Sequence, residues 1–201
     1  MMTKVSDDIM NHIGEHDIIL VGTNLYASMA NGFQLDVSLN YPYVYEMNKA
    51  TGYGDMNKLG TILECSSEGE PTFVLCFITK GYNFRPDIQK DYLSYEALER
   101  CLRLVDARYQ GMNIGSPILG TGRFDGNGES EKVMELFSSC TGKADITLYD
   151  FKDLSRKEKM METNRREAAL KESDREAYYK AVAERKRLAE ERFRKNGRRR
   201  Y

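Results

Sequence analysis

Apolar residues gather in short blocks along this chain, and their spacing changes from block to block. DIILVGT (17–23), LGTILEC (59–65), TFVLCFIT (72–79), MNIGSPIL (112–119) and DITLYDF (145–151) read as strands. DIILVG and FVLCFI are apolar nearly throughout, the pattern of strands covered on both faces. Between these runs the period lengthens. In 93–109, Leu93, Ala97, Leu98, Cys101, Leu102, Leu104 and Val105 trace one wide helical face. Residues 131–138 form a second helical pattern, and 32–40, just before Pro42, a third. Strand–helix alternation predicts an α/β domain with helices on both sides of a mostly parallel sheet. No internal repeat is present.

Beyond Phe151 the pattern changes again. Neither Gly nor Pro occurs from Lys143 to Asn196, and Glu, Lys, Arg and Ala dominate from Ser155. Such a composition favours one long charged helix of about 40 residues, on the order of 60 Å in length. Its apolar positions are sparse, with Leu170, Tyr178, Val182, Ala189 and Phe193 closest to a stripe. A solvated helix laced by i,i+4 charge pairs fits them, and so does one that docks weakly on the body or on another copy.

Charge divides the chain at the same place. Residues 152–201 carry 18 Lys+Arg against 10 Asp+Glu, while the first 151 carry 12 against 21. An acidic domain at 1–151 and a basic helical tail at 152–201 are therefore expected. The tail's end, RFRKNGRRRY, suits nucleic acid or another acidic partner, although it carries no groove-reading motif. Cys65, Cys76, Cys101 and Cys140 lie far apart without a C-x-x-C, as thiols in a reducing compartment do. His12 and His16 stand at i,i+4 but lack the companions of a metal motif. No apolar run reaches the roughly 18 residues of a membrane span. The expectation is a soluble, cytoplasmic protein with no metal and no cofactor.

Candidate chemistry is concentrated in Asn113–Glu129, NIGSPILGTGRFDGNGE. A strand pattern ends at Pro117, glycines follow at 120, 122, 126 and 128, and a helix pattern begins directly after. Glycines let backbone N–H groups approach an oxyanion, and a helix N-terminus adds partial positive charge. A Walker loop is excluded, because Gly142–Lys143 has Phe137 in place of the first glycine and Ala144 after the lysine. The G-x-G-x-x-G fingerprint fails as well, since Gly120-x-Gly122 is followed by Asp125 at the third glycine position. A second loop follows DIILVG, where Ser28-Met29-Ala30-Asn31-Gly32-Phe33 precedes a helix pattern. Two such loops at the carboxyl ends of parallel strands would form one crevice for a diphosphate.

Residues 4–151 resemble the macro domain, the ADP-ribose-binding fold. The resemblance rests on Asp7-Asp8-Ile9, on DIILVGTN ending in Asn24, on Met29-Ala30-Asn31-Gly32-Phe33, on Tyr41-Pro42, and on Pro117-Ile118-Leu119-Gly120-Thr121-Gly122-Arg123-Phe124. TGYGDMNKLGT (51–61) is similar to the matching segment of the ADP-ribose 1″-phosphate phosphatase branch. The resemblance implies a three-layer α/β/α fold with a mixed, mostly parallel central sheet. It implies that Asp8 accepts a hydrogen bond from the adenine amino group, with Ile9 beside the ring, and that Asn24 faces the distal ribose. Residues 29–33 and 120–124 would clamp the diphosphate through backbone N–H groups, with Phe124 against the distal ribose. Ala30 stands where the family usually has glycine.

The same resemblance bears on catalysis. FITK, ending in Lys80, is similar to the I-T-K or P-T-K of macro-domain glycohydrolases, whose lysine can attack the anomeric carbon, and Arg85 resembles a position of the DNA-directed members. Their aspartate lies two residues after the second loop glycine, where this chain has Phe124; Asp125 follows one place later. Three functions fit. Dephosphorylation of ADP-ribose 1″-phosphate, with Asn24 and Asp125 positioning water, is the first choice. An ADP-ribosyl glycohydrolase using Lys80 and Asp125 on protein or nucleic acid, and a non-catalytic ADP-ribose reader whose tail recruits a partner, are the alternatives.

Overall fold

Alternation within two central strands builds a layer on each side of the sheet. In β2 (Ile18–Asn24) and β4 (Thr72–Thr79), Ile18, Leu20, Val74, Cys76 and Ile78 face one side, and Ile19, Val21, Phe73 and Leu75 the other. Every residue of β4 after Thr72 is buried, which is why its sequence is apolar throughout. These elements come from a computed structural model that describes residues 2–81, 92–122, 126–151 and some positions between 176 and 187.

Four further strands complete the sheet: β1 (Met2–Val5), β3 (Ile62–Cys65), β5 (Asn113–Pro117) and β6 (Asp145–Tyr149). The order is β1-β6-β5-β2-β4-β3, parallel throughout except for the antiparallel β3–β4 pair. On one face lie α3 (Tyr95–Arg108) and α4 (Ser130–Cys140), whose Leu98, Cys101, Leu102, Val133 and Phe137 join the first core. On the other lie α1 (Gly32–Asn40) and α2 (Pro42–Ala50), with Val37, Val44 and Tyr45. The predicted three-layer α/β/α arrangement with a mixed, mostly parallel sheet is what forms.

Boundaries depart from the sequence pattern in physically readable ways. The run at 59–65 becomes a strand only from Ile62, because Met56–Lys58 forms a 3-10 turn and Gly60 takes φ +83°. Helix α2 has no counterpart among the predicted elements. Its inner side is Val44, Tyr45 and Asn48, too polar a stripe to stand out, and Pro42 in its first turn was the available signal. Ser94 caps α3, its hydroxyl accepting from Ala97 N at 3.3 Å. The long tail helix lies almost wholly outside the described residues; described positions within 176–187 are helical. Among the described residues no helix is long and apolar enough to cross a membrane, and all four cysteines are buried free thiols.

Candidate functional site

Strand β2 ends in an irregularity. Its register with β4 slips between Thr23 and Asn24, so that Asn24 lies opposite Thr79. Asn24, 3% exposed, closes the following turn: its Oδ1 accepts from Tyr26 N at 2.9 Å and its Nδ2 donates to Ser28 Oγ at 2.6 Å. Ala27 and Met29 take positive φ (49° and 38°) on the way to α1. Met29 and Ala30 are fully buried, so the methyl that replaces the expected glycine points into packed protein. Asn31 stands at the N-cap of α1 without capping it by its side chain, and Gly32 and Phe33 begin the helix.

The glycine-rich loop after β5 is held by its own backbone. Gly128 N donates to Gly120 O and Asn127 N to Gly122 O, both at 2.9 Å. Gly126 O accepts from Tyr92 N at 3.1 Å and Leu93 N at 3.3 Å, tying the loop to the segment that leads into α3. Gly120 must be glycine: φ is +69°, and a Cβ would lie 2.6 Å from Leu93 Cδ1. The loop lies close over the end of β2, where a Cβ on Gly22 would stand 3.7 Å from Gly120 N. Arg123, Phe124 and Asp125 lie outside the described residues, as does Arg85.

These two loops flank a cleft of about 200 Å³ at the carboxyl ends of β2, β5 and β6. Its wall is formed by Gly32, Phe33 and Gln34 on one side, by residues 117–122 on the other, and by Tyr149, Asp150 and Phe151 at one end. Of the residues singled out by sequence, Gly32, Phe33, Gly120, Thr121 and Gly122 therefore meet in one cleft. The N-terminus of α1 and a glycine loop facing each other across it form a setting for an anion. Gln34, 4% exposed, was not singled out; a polar residue inside the apolar pattern of 32–40 was its only signal.

Asp8, Ile9, Asn24 and Lys80 do not line this cleft. Asp8 is buried and caps the 3-10 turn Ile9–Asn11, accepting from Met10 N at 3.0 Å. Ile9 packs in the same core as Tyr149, whose ring closes the cleft's end. Exposed Lys80 directly follows Thr79, the partner of Asn24, and its N–H donates to Tyr92 O at 3.3 Å.

The two histidines serve the wall behind this end. His12 stacks on Tyr149 at 5.0 Å, with Nε2 on Asp7 Oδ2 and Nδ1 on Glu15 Oε1, each at 2.9 Å. Two carboxylates can only accept, so the ring satisfies both as an imidazolium. The Asp7 hydrogen bond raises its pKa foremost, then Glu15, against the opposing effect of burial. The same hydrogen bond lowers Asp7. His16 Nδ1 faces Asn113 Oδ1 at 2.9 Å and Nε2 meets the Tyr149 hydroxyl at 2.8 Å. Among the described residues no group of His, Cys, Asp or Glu is arranged to hold a metal ion.

No protein-family model matches this sequence, and no curated protein does. Solved structures do match the fold. The macrodomain of Thermus aquaticus DarG aligns with a TM-score of 0.57 at 15% identity, over 74% of this chain and 97% of its own. A macrodomain protein from Streptomyces coelicolor gives 0.56 at 19%, over 75% and 99%. Thermosipho africanus DarTG in complex with ADP-ribose gives 0.60 at 15%, over 79% of this chain and 44% of that one. With one six-stranded sheet, helices on both faces and an overlap along nearly the full length of two macrodomains, the chain has the macrodomain fold.

Proposed function

We propose that this protein binds ADP-ribose in the cleft between the two loops and hydrolyses an ADP-ribose derivative. The observation that carries the binding reading is the pairing of the α1 N-terminus with the loop at 117–122 across one cleft. That arrangement offers a diphosphate a helix dipole and backbone donors. The ADP-ribose in the structure of Thermosipho africanus DarTG, a neighbour in fold, supports the choice of ligand.

For the chemistry, two observations bear on which bond is broken. The carboxamide of Asn24 is engaged within its own turn, which weakens the case for it as the group that activates water. Lys80 stands exposed one residue beyond the Asn24–Thr79 pair, which supports an amine attacking the anomeric carbon of a distal ribose as its bond to the modified protein or base breaks, with water then releasing ADP-ribose from the lysine, as in an ADP-ribosyl glycohydrolase. The phosphatase reading keeps the support of residues 51–61, which pack against the loop after Asn24. The basic tail, with 18 Lys+Arg against 10 Asp+Glu, supports an anionic partner for either activity.

Calorimetry with ADP-ribose tests the ligand, and no heat at millimolar concentration would remove this proposal. Turnover of ADP-ribosylated protein and DNA, and of ADP-ribose 1″-phosphate, separates the reactions. Lys80→Ala should abolish glycohydrolase turnover while ADP-ribose still binds. Full glycohydrolase activity in that variant would overturn the lysine mechanism. Phosphate release as the only wild-type activity, unchanged in Lys80→Ala, would return the assignment to the phosphatase.

A further inference from the structure

None of residues 51–60 lines the cleft, yet the segment is bonded to the loop that leads there. Lys58 Nζ donates to Leu25 O at 3.0 Å and to Thr51 Oγ1 at 2.9 Å. Gly54 N donates to the same Leu25 oxygen at 2.9 Å, and Tyr53 meets Tyr26 edge-on at 5.1 Å. The carbonyl of Leu25 thus has both lone pairs filled. The N–H of that same peptide group, on Tyr26, donates to Asn24 Oδ1. One peptide plane is therefore gripped from both ends, by Lys58 and Gly54 at its oxygen and by Asn24 at its nitrogen.

The grip has a rigid footing. Lys58 ends a 3-10 turn whose N-cap, Asp55, accepts from Asn57 N at 2.9 Å, and Gly60 N donates to Phe77 O of β4 at 2.8 Å. The ammonium lies 4.9 Å from the centre of the buried Phe77 ring. Beyond the gripped peptide, Ala27 and Met29 both hold left-handed backbone, which persists only where surrounding contacts fix it.

We infer that Lys58 is a positioning residue: through the Leu25–Tyr26 peptide it fixes the side chain of Asn24 and the path of residues 25–31, and so the placement of the α1 N-terminus at the cleft. A lysine suits this task because one ammonium can bridge a carbonyl and a hydroxyl while resting over an aromatic face. The link to ligand affinity rests on the ADP-ribose reading above; the link to the loop does not.

The test compares wild type with Lys58→Met, which keeps the stem and loses the donors, and Lys58→Arg, which restores donors. Amide hydrogen exchange at Tyr26 and Ser28 should rise about tenfold or more in Lys58→Met, with exchange in α3 unchanged. ADP-ribose affinity should fall about tenfold, and Lys58→Arg should recover most of both. Thr51→Val, which removes the hydroxyl end of the bridge together with its 2.7 Å hydrogen bond to Asn48 O at the end of α2, should move the same amides in the same direction, and serves if Lys58→Met does not fold. Wild-type exchange at Tyr26 in Lys58→Met, or in Thr51→Val where that is the folded variant, overturns the inference. So does a rise spread equally over α3. A wild type that fails to bind ADP-ribose removes the proposed ligand, while the exchange data still decide the role of Lys58.

Discussion

Gly126→Ala strikes the loop that carries residues 120–122 of the cleft wall, at a position where a side chain would overlap backbone. Its φ of +141° lies in a region that is essentially confined to glycine, and a Cβ there would stand 2.4 Å from Gly120 O and 3.2 Å from Gly120 C and Cα. Those neighbours are backbone, so no side-chain rotation relieves the overlap. Three hydrogen bonds depend on the same two peptides: Gly128 N to Gly120 O, and Tyr92 N and Leu93 N to Gly126 O. Backbone strain of about 1–3 kcal/mol, with one or two of these bonds lost at about 0.5–1.5 kcal/mol each, gives roughly 1.5–6 kcal/mol. The loop yields before the sheet does, so part of this appears as displacement of residues 120–122 from the ligand. If about 2 kcal/mol of it falls on binding, the ADP-ribose dissociation constant rises on the order of 30-fold. Gly142→Ala is the control, since a Cβ there meets nothing within 4 Å. Calorimetry and thermal unfolding of both variants check the expectation. Wild-type affinity and stability in Gly126→Ala would refute the reasoning, as would equal losses in the two variants.

Two further predictions concern ionised groups that hold the domain together. Asp106 on α3 accepts from Gly142, Lys143 and Ala144 N at 2.8, 2.8 and 3.1 Å, and although burial works against its charge, these donors and the Lys143 charge hold its pKa below the usual 3.8. Asp106→Ala should lose about 1.5–3 kcal/mol in urea unfolding near neutral pH; because a depressed carboxyl contributes in full above its unfolded pKa and loses this as pH falls through the folded value, the gap between wild type and Asp106→Asn should shrink over that range, and a gap constant into acid would refute this. His12 has a raised pKa and Asp7 a lowered one, so the His12 contribution is complete below its ordinary 6.5 and is lost as pH rises through the folded value, while the Asp7 contribution is lost as pH falls below 3.8. The pair is partly solvated and contributes under about 1 kcal/mol, so wild type and His12→Gln should differ most near pH 5 and converge by about pH 9 in urea unfolding; an undiminished difference at the alkaline end would refute the imidazolium assignment.

Much of the sheet was legible because burial on both faces leaves a mark on sequence. The run TFVLCFIT coincides with β4, and DIILVGT lies one residue from β2. Reading failed where the mark is shared with other structures. Leu59-Gly60-Thr61 has strand-like neighbours, but Gly60 turns the chain beside Arg100, and no periodicity reports a turn of that kind. Helix α2 buries Asn48, which donates to Thr23 Oγ1 at 3.2 Å, so a polar residue occupies the inner face where the pattern asks for an apolar one. In the site, the loop after β5 was readable because glycines hold two of its positive-φ positions, 120 and 126, with Asn127 a third. The loop after β2 was legible at 28–33 as a loop but not in its path, because Ala27 and Met29 carry positive φ that only neighbouring segments can impose.

Asn24 shows most sharply where sequence reasoning stops. Its place at the end of β2 follows from the apolar run before it. The direction of its side chain would follow too if the strand kept its period of two. The register slip between Thr23 and Asn24 breaks that period at the one residue whose orientation matters. What orients Asn24 instead is the Leu25–Tyr26 peptide, and that peptide is set by Lys58, 33 residues further along the chain from Leu25. The likeness of TGYGDMNKLGT to a phosphatase segment marked those residues as significant without saying what they touch. Their contacts turn the likeness into a physical statement: this segment grips the peptide through which the strand end leads to the cleft.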